Sequence, residues 1–129
     1  MTKQKKVLLV EDDLFTRFMM NEIITTLGAS IDVAADGDEC ARLVNECPDD
    51  YGLVLMDLHM PKMSGIEAAR RIRACDTNPP RNVPIVAVTA DINYHDEAVI
   101  KKLGMDGFAS KPVSPGKLLD LITRYCHAA

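Results

Sequence analysis

Four short apolar runs, each ending near a residue that can hold a metal ion or a phosphoryl group, constrain this chain more than any other feature. Val7, Leu8, Leu9 and Val10 lead to Asp12 and Asp13, and Leu53, Val54, Leu55 and Met56 lead directly to Asp57. Ile85, Val86, Ala87 and Val88 lead to Thr89, while Phe108, Ala109 and Ser110 lead to Lys111. Runs this short and this rich in Val, Ile and Leu read as strands buried on both faces of a parallel sheet. The carboxyl ends of such strands line one edge, where open α/β sheets bind ligands. Three carboxylates, a hydroxyl and an ammonium are therefore expected to converge from distant parts of the chain.

Helical patterns separate the runs, so the class is α/β. Phe15, Phe18, Met19, Ile23 and Leu27 fall on one helical stripe, and Gly28 suits the position just past its end. Residues 30–35 read as a weaker strand interrupted by Asp32. Cys40, Leu43, Val44 and Cys47 give the next helix its apolar face, and Pro48 ends it. The loop after Asp57 is held by Pro61; Ser64 and Glu67 then have capping-box spacing and open a third helix. A fourth lies near residues 96–103, and the last begins at Ser114 with Pro115 in its first turn. The expectation is five strands alternating with five helices, as a single domain over residues 1–129.

Composition narrows the function classes. A net charge of −4 argues against a nucleic-acid partner, which selects a basic face. Lys3, Lys5 and Lys6 read as a solubilising terminus. No run reaches the ~18 apolar residues of a membrane span and none reads as a secretory signal, so a cytoplasmic protein without direct membrane contact is expected. Cys40, Cys47, Cys75 and Cys126 show neither a CxxC pair nor zinc spacing, which favours free thiols. His59, His95 and His127 are scattered. No GxxxxGK[ST] phosphate loop occurs.

Asp12, Asp13 and Asp57 carry the sharpest chemical expectation. Two carboxylates about 4 Å apart repel by roughly 4 kcal/mol at an effective dielectric near 20. A group of three needs a cation among them, and hard oxygen ligands suit Mg²⁺ or Mn²⁺. Thr89 can donate to one phosphoryl oxygen and Lys111 can pair with another. Pro112 after the lysine invites a cis peptide. Plainer roles stay open: Asp12 and Asp13 as a helix cap, Phe108 as an ordinary core aromatic, His59 as a solvated loop side chain, Asp91 as a cap.

These residues, in this order, resemble the receiver domain of two-component response regulators. The motifs Val-Leu-Leu-Val-Glu-Asp-Asp, Met-Asp-Leu-His-Met-Pro-Lys-Met-Ser-Gly and Phe-Ala-Ser-Lys-Pro carry the similarity, which extends from Val7 to about Tyr125. The resemblance implies a (βα)5 doubly wound fold with strand order 2-1-3-4-5, for which receivers are themselves a standard example. It implies Asp57 as acceptor of a phosphoryl group from a histidine kinase or histidine phosphotransfer protein. Asp12, Asp13, Asp57 and the backbone carbonyl of His59 would surround Mg²⁺. Thr89 and Lys111 would bind the phosphoryl group, and Thr89 with Phe108 would switch a partner-binding face on the fourth helix, fifth strand and fifth helix. His59 and Asp91 would tune dephosphorylation. Two alternatives accompany this reading: a phosphohydrolase of haloacid-dehalogenase type, whose second Asp is replaced here by His59, and the receiver portion of a hybrid histidine kinase.

Overall fold

The computed structural model describes residues 5–60 and 62–126; Lys3, Pro61 and His127 lie outside them. Within that range the order is β1 (Lys6–Val10), α1 (Leu14–Thr26), β2 (Ile31–Ala34), α2 (Gly37–Glu46), β3 (Tyr51–Asp57) and α3 (Gly65–Arg73). Then come β4 (Ile85–Thr89), a 3₁₀ turn (Ile92–Tyr94), α4 (Glu97–Lys102), β5 (Gly107–Ser110) and α5 (Pro115–Cys126). The strands form one parallel sheet in the order β2-β1-β3-β4-β5, as the resemblance implies.

The period-two alternation of strand side chains divides the core into two layers. Val7, Leu9, Leu53, Leu55, Val86 and Val88 pack with Met20 and Ile24 of α1 and with Leu118 and Ile122 of α5. Leu8, Val10, Val54, Met56, Ile85 and Ala87 pack on the other face with Val44 of α2, Ile72 of α3 and Ile100 of α4. Burial on both faces is why these strands read as unbroken apolar runs. β3 lies at the centre of the sheet and is buried along its whole length.

Helix starts are set by short polar side chains. Asp36 accepts from the Glu39 N–H, and Glu39 reaches back to the Ala35 N–H at 2.7 Å, so α2 has a reciprocal cap. Ser64 caps α3 by accepting from the Glu67 N–H, but Glu67 turns to Arg70 at 3.3 Å, so only half of the expected box forms. The stripe on α1 is also corrected. Phe15 and Phe18 point to solvent at 71% and 60% exposure, and the buried residues are Met20 and Ile24. With apolar residues on both sides of this helix, periodicity alone does not choose the inner one.

Candidate functional site

Four strand ends meet at the carboxyl edge of the sheet. β3 delivers Asp57 and β4 delivers Thr89, while Glu11 and Asp12 follow β1 and Lys111 follows β5. Asp57 is 5% exposed and Thr89 is 1% exposed. α3 starts directly against this corner: the Gly65 N–H donates to the Leu58 carbonyl, and a Cβ on Gly65 would collide with the main-chain oxygen of Asp57. A side chain there would push the helix off the site.

The carboxylates that converge are Glu11, Asp12 and Asp57, with one oxygen from each lying within 4.8 Å of the others. The expectation for Asp13 is therefore corrected by one position. Asp13 is the N-cap of α1, its carboxylate accepting from the Thr16 N–H at 2.8 Å and the Thr16 hydroxyl at 2.7 Å. Those bonds hold its carboxyl below the usual aspartate range. Its own N–H instead donates to Glu11 at 3.1 Å. Glu11 is the residue the motif reading misses, although one signal for it exists in sequence: Thr16 stands at the N3 spacing from Asp13. Assigning Asp13 to the cap leaves Glu11 and Asp12 as the acidic pair.

Glu11 is almost fully buried, 1% exposed, and Lys111 is what makes that tolerable. The Lys111 ammonium lies 2.8 Å from Glu11 and 3.3 Å from Asp57. Burial opposes its charge, but the two carboxylates prevail and hold it above the usual lysine range. Burial pushes the Glu11 carboxyl up, against the pull of Lys111 and the Asp13 N–H. One ammonium, paired with Glu11 and Asp57, beside a cluster that also holds Asp12 leaves an excess of negative charge. The donors are hard oxygens in an open corner, so the residues present fit a small divalent cation such as Mg²⁺. Glu11, Asp12 and Asp57 are the side chains that would hold it.

The remaining expected residues border the same opening. The Thr89 hydroxyl accepts from the Asp91 N–H at 3.0 Å, which leaves its own proton free to donate. His59 and Asp91 meet across the mouth, Nε2 to carboxylate at 3.2 Å, with the Tyr94 ring edge-on to His59. The His59 N–H lies 3.4 Å from the Asp57 carboxylate. Asp91 also caps the 3₁₀ turn, so both of its expected roles coexist. Phe108 is half-buried on β5 beside α4, packed against the core without belonging to its buried part. The Lys111–Pro112 peptide is cis.

Residues 7–123 match the family model described as the response regulator receiver domain. A two-component response regulator of Oryza sativa subsp. japonica is 36% identical over 125 residues, covering 95% of each chain. The receiver domain of a sensor histidine kinase from Pseudomonas aeruginosa PAO1, solved with a magnesium ion in its active-site cleft, superposes with a TM-score of 0.82 at 29% identity. That superposition covers 95% of this chain and 98% of that one. The receiver domain of Ssk1 from Saccharomyces cerevisiae, crystallised with the histidine phosphotransfer protein Ypd1, gives 0.80 at 28% identity and covers 98% and 91%. Other relatives are far longer: the chain spans 7% of hybrid signal transduction histidine kinase I of Dictyostelium discoideum, to which it is 32% identical.

Proposed function

The chain belongs to the response regulator receiver domain family, a component of two-component signalling, and on that premise we propose that Asp57 is its phosphoryl acceptor. A carboxylate oxygen of Asp57 attacks the phosphorus of a phosphohistidine, the N–P bond breaks, and the imidazole nitrogen leaves with the electron pair and takes up a proton. The observation that carries this reading is the meeting of Glu11, Asp12 and Asp57 within 4.8 Å, with Lys111 against Asp57.

Each neighbour has a role its contacts support. Glu11, Asp12 and Asp57, with the main-chain carbonyl of His59 as the resemblance implies, would hold Mg²⁺, or Mn²⁺ in its place. When bound, the cation offsets the charge of the carboxylates and of an incoming phosphoryl group. Lys111 exchanges its contact with Asp57 for a phosphoryl oxygen, and Thr89 donates its free hydroxyl proton to another. Thr89 drawn inward repacks Phe108 and so reshapes the face of α4, β5 and α5 that a downstream protein reads. His59 and Asp91 set how readily water reaches the acyl phosphate.

The donor is a histidine kinase or a histidine phosphotransfer protein. Leu14, Phe15 and Phe18 stand exposed on α1 next to the site. A groove of about 400 Å³ lined by Phe15, Met19, Lys111 and Pro112 runs along it. An exposed apolar face bordering the acceptor supports docking of the donor protein there. The domain assists only its own phosphorylation and hydrolysis and turns over no separate substrate, whether it acts alone or within a hybrid kinase. No described residue supports the haloacid-dehalogenase alternative. None of the described helices is long and apolar enough to cross a membrane; a cytoplasmic location is part of the proposal and rests on the receiver reading.

Treatment with acetyl phosphate and Mg²⁺ should add one phosphoryl group by intact mass, and Asp57→Asn should abolish the addition. An adduct that survives that substitution, or steady hydrolysis of a generic phosphate ester, would refute the assignment.

A further inference from the structure

Two side-chain contacts meet at His95, a residue for which the phosphoryl chemistry has no use. His95 follows the 3₁₀ turn, and its Nε2 lies 2.9 Å from the carbonyl oxygen of Thr89. A carbonyl only accepts, so this nitrogen carries the proton. The same carbonyl accepts from the Lys111 backbone N–H at 3.2 Å. The imidazole also lies flat against the Phe108 ring, with centroids 5.3 Å apart and planes 6° from parallel. That separation is typical of an offset stack.

We propose that His95 is a positioning residue of the switch, coupling the main chain at Thr89 to the ring of Phe108 so that the two move together. The proposal rests on the receiver reading and deepens it. Sheet pairing alone supplies no such link: Thr89 is in register with Ser110, and Phe108 with Ala87. The flat imidazole bridges that offset, with its N–H on one residue and its face on the other. A shift of the Thr89 carbonyl therefore tilts the ring and disturbs the stack. Because the acceptor is shared with Lys111, the same shift is also felt at β5. His59 and His95 thus make separate contacts at this corner, one with the Asp91 side chain and one with the Thr89 carbonyl.

The direction of the effect follows from which contacts are present. The hydrogen bond and the stack hold Thr89 and Phe108 in the arrangement described, and a phosphoryl group that draws Thr89 inward must work against them. A ligand shifts such a balance only by its differential affinity, so weakening the contacts raises apparent affinity for the ligand.

The test uses the full chain, with beryllofluoride and Mg²⁺ as a mimic of the bound phosphoryl group and NMR of the Phe108 ring as readout. Uptake by wild type that Asp57→Asn abolishes establishes the receiver reading independently. His95→Ala should then bind the mimic about tenfold more tightly, the combined effect of one hydrogen bond and one ring stack. It should also shift the Phe108 resonances before the mimic is added. His95→Gln, which retains an N–H but not the ring, should give a smaller gain. Combining His95→Ala with Phe108→Ala should add nothing beyond the larger single effect, because the rings act as a unit. Unchanged or weaker binding by His95→Ala, or full additivity, overturns the coupling while leaving the receiver reading intact. Failure of wild type to take up the mimic at Asp57 overturns both.

Discussion

The two sides of the sheet are built to different degrees of rigidity. On one side β3 runs for seven buried residues, backed by α2 of ten residues and α3 of nine. On the other, β5 is a four-residue edge strand with a single buried position, and α4 has six residues of which only Ile100 is buried. Glu11, Asp12 and Asp57 hang from the firm side, and Phe108 and His95 belong to the thin one. The division suits the chemistry. Clustered carboxylates relax apart unless their backbone is held, whereas a switch must open at low local cost. Arg73 pins the thin side to α3. Arg73 donates to the carbonyls of Gly104, Arg81 and Val83 and to the Asp106 carboxylate, which also accepts from the Ile85 N–H. The end of α4 and the start of β5 are thereby tied to α3, while the 3₁₀ turn and the start of α4 are held by their own caps, Asp91 and Asp96, and by His95.

The contrast predicts unequal stability losses. Leu55→Ala removes a fully buried side chain from β3 and should cost about 2–5 kcal/mol in chemical denaturation. Phe108→Ala empties a half-buried site on β5 and should cost roughly 1 kcal/mol. Equal losses would mean that the edge is no softer than the centre. Next in size is the metal site. Glu11→Gln and Asp12→Asn should each weaken Mg²⁺ binding on the order of 100-fold by calorimetry, at least what loss of an outer-shell partner costs. Asp13→Ala should leave that affinity within a factor of about two and lower the melting temperature by about 5 °C through loss of the cap. The reverse ranking would return the acidic pair to Asp12 and Asp13.

The firm side was also the legible one. A strand buried on both faces announces itself as a continuous apolar run, and a residue at the end of such a run must lie on the carboxyl edge. Asp57 and Thr89 can therefore be placed together without coordinates, whereas Lys111, after the short β5, is placed by its Phe-Ala-Ser-Lys-Pro motif. β2 was fainter because it is an edge strand, where Asp32 faces Lys6 at 3.5 Å and the Tyr51 hydroxyl at 2.7 Å. Glu11 and Asp13 were exchanged because both are acids beside Asp12. The direction in which the chain turns into α1 decides which one caps and which one enters the site, and Thr16 three residues after Asp13 is its one mark in the sequence. The inner face of α1 was ambiguous for a related reason, since Phe15 and Met20 are equally apolar. His95 left no mark at all, because a ring stack between a turn and a strand has no periodicity to read.

A smaller effect sharpens the description of the thin side. Arg73→Lys keeps the charge but loses the planar fork that reaches several acceptors at once. Amide exchange at Met105, Gly107 and Phe108 should quicken about tenfold, the equivalent of one lost hydrogen bond. Exchange at Leu8, Leu9 and Leu55 should stay unchanged. Acceleration in both sets would make Arg73 a global support instead of a local pin.

The smallest effect belongs to the mouth of the site. The His59 and Asp91 side chains are 60% and 30% exposed, so their pairing adds little stability. Its consequence is for access. Replacing either by Ala should change the acyl-phosphate half-life by about two- to fivefold, the range of an exposed ion pair, and the double variant should go no further. The Asn93 N–H, and after it His59, hold the Asp91 carboxyl below the usual aspartate range. A depressed carboxyl contributes above its unfolded value and loses that contribution as pH falls through the lower folded one. Asp91 therefore stays ionised at neutral pH and loses that charge only in acid. At neutral pH Asp91→Asn, which removes that charge, should therefore change the half-life in the same direction as Asp91→Ala. If neither His59→Ala nor the Asp91 variants move the half-life, the mouth is gated by some other group.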